Sequence, residues 1–180
     1  MINAIKGLTL LVFLNCLIQD TYAQDYKYMT PRELQMIEQI NELRADPGSY
    51  IPYVEEYLEE GWKPPGEEEA ALELIDTLKK LGPLRQLKPS RSMYQDAKAH
   101  GKWMRRTNKF EHSTYNCYEN LATGNTYTRN VIIDLLIDNG VPSRGHRWNL
   151  LEPSLKYVAC YEVKPIFGHL GQWSVVQQFN

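Results

Sequence analysis

Residues 156–163, KYVACYEV, and 172–179, QWSVVQQF, decide the fold. Both are rich in β-branched and aromatic side chains, and 164–171, KPIFGHLG, supplies proline and glycine between them, so the two stretches predict paired antiparallel strands. The chain ahead of them is helical in pattern. Residues 30–44, TPRELQMIEQINELR, open with Thr30 as N-cap, Pro31 at the first helical position and Glu33 three residues past the cap. Leu34, Ile37, Ile40 and Leu43 then recur at helical spacing, and Pro47 with Gly48 predicts a stop near Asp46. A second helix is expected within 49–61, ending at Gly61. A third over 67–82 runs from an acidic first turn to a basic last one, as the helix dipole favours. Ser90 caps a fourth over 90–108, and a fifth begins at Thr128 and terminates at Gly140. Between them, 62–66 (WKPPG) reads as a rigid connector and 83–89 (PLRQLKP) as an extended link. Helices first and strands last predict an α+β domain with helices packed on a small sheet.

The amino end reads as something else. Met1 to Gly7 carries one lysine, 8–18 (LTLLVFLNCLI) is apolar, and Thr21 and Ala23 stand at a plausible cleavage point, so residues 1–23 are expected to be a secretory signal peptide. The apolar run falls short of the roughly 20 residues that span a bilayer. Residues 24–29 form a polar leader and 30–180 a single domain, expected to be secreted or periplasmic without a transmembrane segment. The formal charge is −2 and no long basic stretch occurs, which argues against a nucleic-acid partner. Cys16 would leave with the signal peptide. Cys117 and Cys160 remain, in a compartment where a disulfide between them is permitted, closing a loop worth roughly 4 kcal/mol on the chain-entropy model; two separately buried thiols are the alternative.

Four polar residues invite chemistry together: His112, Glu119, Asp138 and His146. Two neutral imidazoles with a carboxylate are a ligand set for zinc that leaves a position open to water, and the same groups serve as acid, base or donor without metal. Each also has a plain interpretation. His112 reads as a loop histidine, Glu119 as a turn cap, and Asp138, four residues after Asp134, as one of two carboxylates on a solvated helix face. His146 lies between Arg144 and Arg147, which would disfavour its charged form if close. His100, with Trp103 and Met104 at i+3 and i+4, reads as a core or boundary histidine, and His169 as an exposed hairpin residue. The chain has no HExxH, GxSxG, phosphate-cradling glycine loop or CxxC pair. A Cys117 nucleophile with a histidine base requires that Cys117 be unbridged. Tyr50, Tyr53 and Tyr57 fall at roughly helical spacing and suggest core packing before a partner surface.

Taken in order, EHSTYNCYENLATG (111–124), an amphipathic helix, SRGHRWNLLEPSLKYVACYEV (143–163) and a closing WSVVQQF resemble the CAP superfamily of SCP-domain proteins. That superfamily comprises cysteine-rich secretory proteins, insect antigen 5, plant pathogenesis-related proteins and secreted bacterial relatives, and VPSRGHRxNLL resembles the bacterial branch. INELRADPG, with Asn41 and Arg44, is similar to the family's first helix. The resemblance covers about residues 32–180. It implies a three-layer α-β-α sandwich with a small central antiparallel sheet between helices, and a further strand around 115–122. It also implies a cleft in which His112, Glu119 and His146 match family residues, and in which Asp138 stands where a glutamate is usual. Leu135 replaces the usual tryptophan, and the shorter acid puts the reach of Asp138 in question. Members often bind a divalent metal through the two histidines, and some bind lipids; cysteines at 117 and 160 occur in some relatives.

Two functions follow as expectations. One is an exported binding module in which His112 and His146 hold zinc or a similar ion above Glu119 and Asp138, with a lipid, peptide or glycan in the cleft. The other is a metal-assisted hydrolase with Glu119 as general base.

Overall fold

The computed structural model describes residues 26–165 and 172–180. The signal-peptide stretch and His169 lie outside the described residues. Residues 26–30 fall outside the domain, and among them Met29 N–H donates to Tyr26 O at 2.9 Å. The domain is Pro31–Asn180.

Its helices are α1 (Pro31–Ala45), α2 (Ile51–Glu59), α3 (Glu67–Lys80), α4 (Arg91–Thr107), α5 (Thr128–Ile137) and α6 (Gly145–Leu151), with a 3-10 turn at Pro47–Tyr50. The strands are β1 (Lys88–Pro89), β2 (Tyr118–Thr123), β3 (Tyr157–Val163) and β4 (Ser174–Phe179), in the order β1-β3-β4-β2. The predicted hairpin pair is β3 and β4, with Val158 opposite Phe179 and Val163 opposite Ser174. The strand implied upstream is β2, antiparallel to β4, with Glu119 opposite Gln178. The sheet is mixed, not wholly antiparallel as expected, because part of the extended link pairs parallel to β3 as β1. Pro89 has no N–H to give, and a sheet edge is where a strand tolerates that loss.

Side-chain alternation assigns the layers. Leu121, Val176, Tyr161 and Val163 meet Ala97, Trp103 and Met104 of α4 on one face. On the other, Gln177 reaches Met36 of α1 and Asn120 reaches the backbone of α6. This is a helix–sheet–helix sandwich of the α+β class. β4 is buried along its whole length, as a strand covered on both faces must be. Gly101 is the residue that lets α4 lie so close: a Cβ there would stand 2.6 Å from Tyr161 Cδ1 and 2.8 Å from Val163 Cγ2.

Several polar residues turn out to be structural. Asn41 donates to Leu87 O at 2.9 Å and accepts from Leu87 N–H at 2.7 Å, clipping the link to α1. Arg44 is fully buried and donates to Arg85 O, Leu150 O and Glu152 O at 2.8, 2.8 and 3.0 Å, closing the end of α6. Glu33, three residues past the predicted N-cap, is buried and accepts from Glu162 N–H at 3.0 Å and from Tyr94 hydroxyl at 3.1 Å. It thereby serves the edge of β3 beyond the reach of the two-residue β1. Tyr50 is fully buried, as core packing requires, while Tyr53 is partly exposed beneath the Arg129 guanidinium at 4.3 Å.

Two further expectations are corrected. The Cys117–Cys160 disulfide is not formed: both thiols are free. Cys160 on β3 lies opposite Gln177 of β4, which lies opposite Asn120 of β2, and Cys117 precedes β2. Two strand spacings, about 10 Å, already exceed the roughly 7 Å that a disulfide spans between Cα atoms. Helix α5 ends at Ile137 instead of running to Gly140, because Asp138 turns left-handed at φ 53°. Asp138 therefore does not stack on the helix face under Asp134, whose carboxylate accepts from Asn125 at 3.1 Å.

Candidate functional site

All four residues singled out in the sequence meet at β2, the edge strand. His112 comes from the loop that joins α4 to β2. Its ring is half exposed, and Nδ1 lies 3.0 Å from Glu119 Oε1. Glu119 projects from β2 toward the α4 face and is buried. Oε1 also accepts the Ser113 backbone N–H at 2.8 Å, and Oε2 accepts from Gln178 Nε2, its cross-strand neighbour, at 2.9 Å. Burial alone would raise this carboxyl, but the bonds from Gln178, Ser113 and His112 outweigh it and hold it below the usual carboxylate range.

The second pair forms at the junction of α5 and α6. Asp138 Oδ1 meets His146 Nδ1 at 2.7 Å, and Oδ2 accepts the His146 backbone N–H at 2.9 Å. The shorter acid reaches because it stands just past the end of α5, where the left-handed turn carries its backbone toward α6. The two imidazoles then stack with centroids 6.2 Å apart and planes 25° from parallel. Arg144 and Arg147 do not hydrogen-bond the ring they flank. Arg144 binds Glu73 and the carbonyls of Asp138 and Val141, and Arg147 binds Glu73 and carbonyls of α3 and α5.

His100, expected as a satisfied core or boundary histidine, is buried, stacked on Trp103 at 5.6 Å, with Nε2 2.8 Å from Glu111 O. The same nitrogen stands 3.9 Å from Glu119 Oε1, so a third imidazole borders the site. Sequence reasoning also missed Gln178. Its signal was a polar pair, Gln177 and Gln178, inside an otherwise apolar terminal strand. A cavity of about 380 Å³ opens on the His112 half, lined in part by His100, Trp103, Glu111, His112 and Tyr115.

Among the described residues no group of three or more His, Cys, Asp or Glu is placed to hold a metal ion. The donor set nonetheless suits one partly built from water or ligand. A carboxylate at Nδ1 keeps the proton on that nitrogen and leaves the Nε2 lone pair for a ligand, the usual support for a metal-bound histidine. Two such nitrogens supply half of a tetrahedral shell. Cys117 is a poor nucleophile here: burial, then the charges of Glu119 and Asp96, push its thiol up to about 11.

No protein-family model matches the chain, and no curated protein matches it. Among solved structures the chain is similar to the hookworm platelet inhibitor, at 13% identity over 68% of this chain and 72% of that one, with a TM-score of 0.43. A likeness that loose transfers no property from one protein to the other. No helix among the described residues is long and apolar enough to cross a membrane.

Proposed function

We infer that the chain is an exported binding module of the CAP type, in which His112 and His146 hold a divalent ion, zinc by preference, through Nε2. A small or extended ligand, whether lipid, peptide or glycan, would occupy the adjoining cavity. The family assignment, including its bacterial branch, is supported by the order of the motifs in the sequence. The ion is supported by one observation above others: each of two stacked rings has its Nδ1 engaged by a buried carboxylate. Glu119 and Asp138 act in this reading as orienting groups and not as ligands, since their oxygens are already taken by ring and backbone donors. When bound, the ion would supply Lewis acidity and an anchoring point for a ligand oxygen. The chain's own part is to hold both rings in the productive tautomer.

The alternative, a hydrolase with Glu119 as general base, is less favoured by the geometry. A base needs a free oxygen and a proton affinity near neutrality. Glu119 has both oxygens committed, and it is held below the ordinary carboxylate range by those bonds despite its burial.

Calorimetric titration with zinc tests the binding module. The parent chain is expected to take up the ion and the His112→Ala, His146→Ala double variant to lose it; equal binding by both sinks the assignment. Turnover of peptide, ester or glycan that is abolished by chelator and by Glu119→Gln would instead favour the hydrolase.

A further inference from the structure

We propose that Glu73, on α3, is a positioning residue for His146, acting through the two arginines that flank that histidine. This rests on His146 being a binding residue, as inferred above.

One carboxylate holds both arginines. Glu73 Oε2 accepts from Arg144 Nε at 3.1 Å, and Oε1 accepts from Arg147 Nη1 at 2.8 Å. The arginines in turn take the carbonyls at the end of α5. Arg147 Nε donates to Leu136 O at 2.6 Å, Arg147 Nη2 to Ile137 O at 3.1 Å, and Arg144 Nη1 to Asp138 O at 2.8 Å. A helix end leaves such carbonyls without partners inside the helix, and here the donors come from the very segment that carries His146. Arg147 also donates to Ala70 O at 2.9 Å, so α3 contributes two anchors.

The junction needs holding. Asp138 at φ 53° and Arg144 at φ 50° are both left-handed, a conformation unfavourable to a non-glycine residue that persists only where surrounding contacts impose it. Those two residues bracket the turn across which Asp138 reaches His146 Nδ1 and N–H. Burial tends to raise the Glu73 carboxyl, yet the bond from Arg144 and the charges of both arginines hold it below its ordinary range, so it is ionised and available to both at neutral pH. Arg147 is fully buried and Arg144 is 17% exposed, whereas Glu73 is 49% exposed. The anchor can therefore be changed without opening the core.

The test compares imidazole nitrogen resonances of the zinc-free protein with zinc calorimetry, for the parent chain, Glu73→Ala, Glu73→Gln and Arg144→Met. Glu73→Ala should shift the His146 resonances, leave those of His112 in place and weaken zinc about 10-fold. Glu73→Gln, which still offers an acceptor, should recover part of both. Arg32→Ala, which removes a separate ion pair to Glu162, should move neither. If Glu73→Ala is unfolded, Arg144→Met carries the same expectation. Unmoved His146 resonances in the folded variant overturn the proposal, even where its unfolding temperature falls. Should the parent chain fail to bind zinc, the binding reading falls, and the ring resonances still decide the role of Glu73.

Discussion

The two histidine–carboxylate pairs perform the same local act with different supports. His112–Glu119 is held by the sheet: its acid sits mid-strand, faces Gln178 across the ladder and takes a backbone N–H from the loop that bears the histidine. His146–Asp138 is held by two helix ends, with no strand residue bonded to either acid oxygen, and depends on arginines anchored to a third helix. Exposure follows the same division, His112 being 58% exposed and His146 22%. A buried acid can thus fix an imidazole from a regular ladder or from an irregular corner, but the corner needs more distant residues to keep its shape.

The contrast can be broken most forcefully at Arg147. Arg147→Ala strands three carbonyls and part of an ion pair in a buried setting, and should cost at least about 3 kcal/mol in urea unfolding. A loss under 1 kcal/mol would show that the corner holds itself. Next in size, Glu119→Gln sets an amide NH₂ among three donors and should cost about 2 kcal/mol. Asp138→Asn should cost only about 1 kcal/mol, because asparagine tolerates the left-handed conformation and still accepts one bond. The reverse ranking of those two would mean that the corner, not the ladder, carries more of the site's stability.

Acid titration perturbs the ladder and the corner more gently. Glu119 and Glu73 both titrate below the ordinary carboxylate range in the folded chain, so each contributes stability that is fully present above the unfolded value of about 4.3 and is lost as pH falls through the folded value. The urea midpoint should therefore hold from neutrality to about pH 5 and decline below, with a shallower decline in Glu119→Gln. Equal slopes in both proteins would remove the ladder carboxylate from the account. The smallest perturbation is chemical. With its thiol pushed up to about 11, Cys117 should alkylate at neutral pH roughly two orders of magnitude more slowly than a free thiol. Both Cys117 and Cys160 should label in urea without reductant; a single unreactive pair would restore the disulfide.

Much of the framework was legible because it is written locally. Ser90 caps α4 by accepting Met93 N–H, as its position foretold, and α3 carries its acidic and basic ends where the dipole favours them. The four candidate residues stand out through the order of their motifs, not their surroundings, and packing brings them together. The helix α5 ends before Gly140, the stronger stop signal in one dimension, because Asp138 is left-handed and the last carbonyls of the helix are taken by Arg144 and Arg147 of the segment that follows. β1 was misread as a bare link because two residues carry too little pattern to announce a strand.

Periodicity, capping residues and strand composition settle which segments are helix and which are sheet, since those preferences act between near neighbours along the chain. Which acid faces which imidazole, whether a one-methylene-shorter side chain reaches, and that Cys117 and Cys160 stay apart were settled only by packing. Each depends on distances between segments tens of residues apart, set by the order of strands in the sheet and by buried arginines that join one helix end to another.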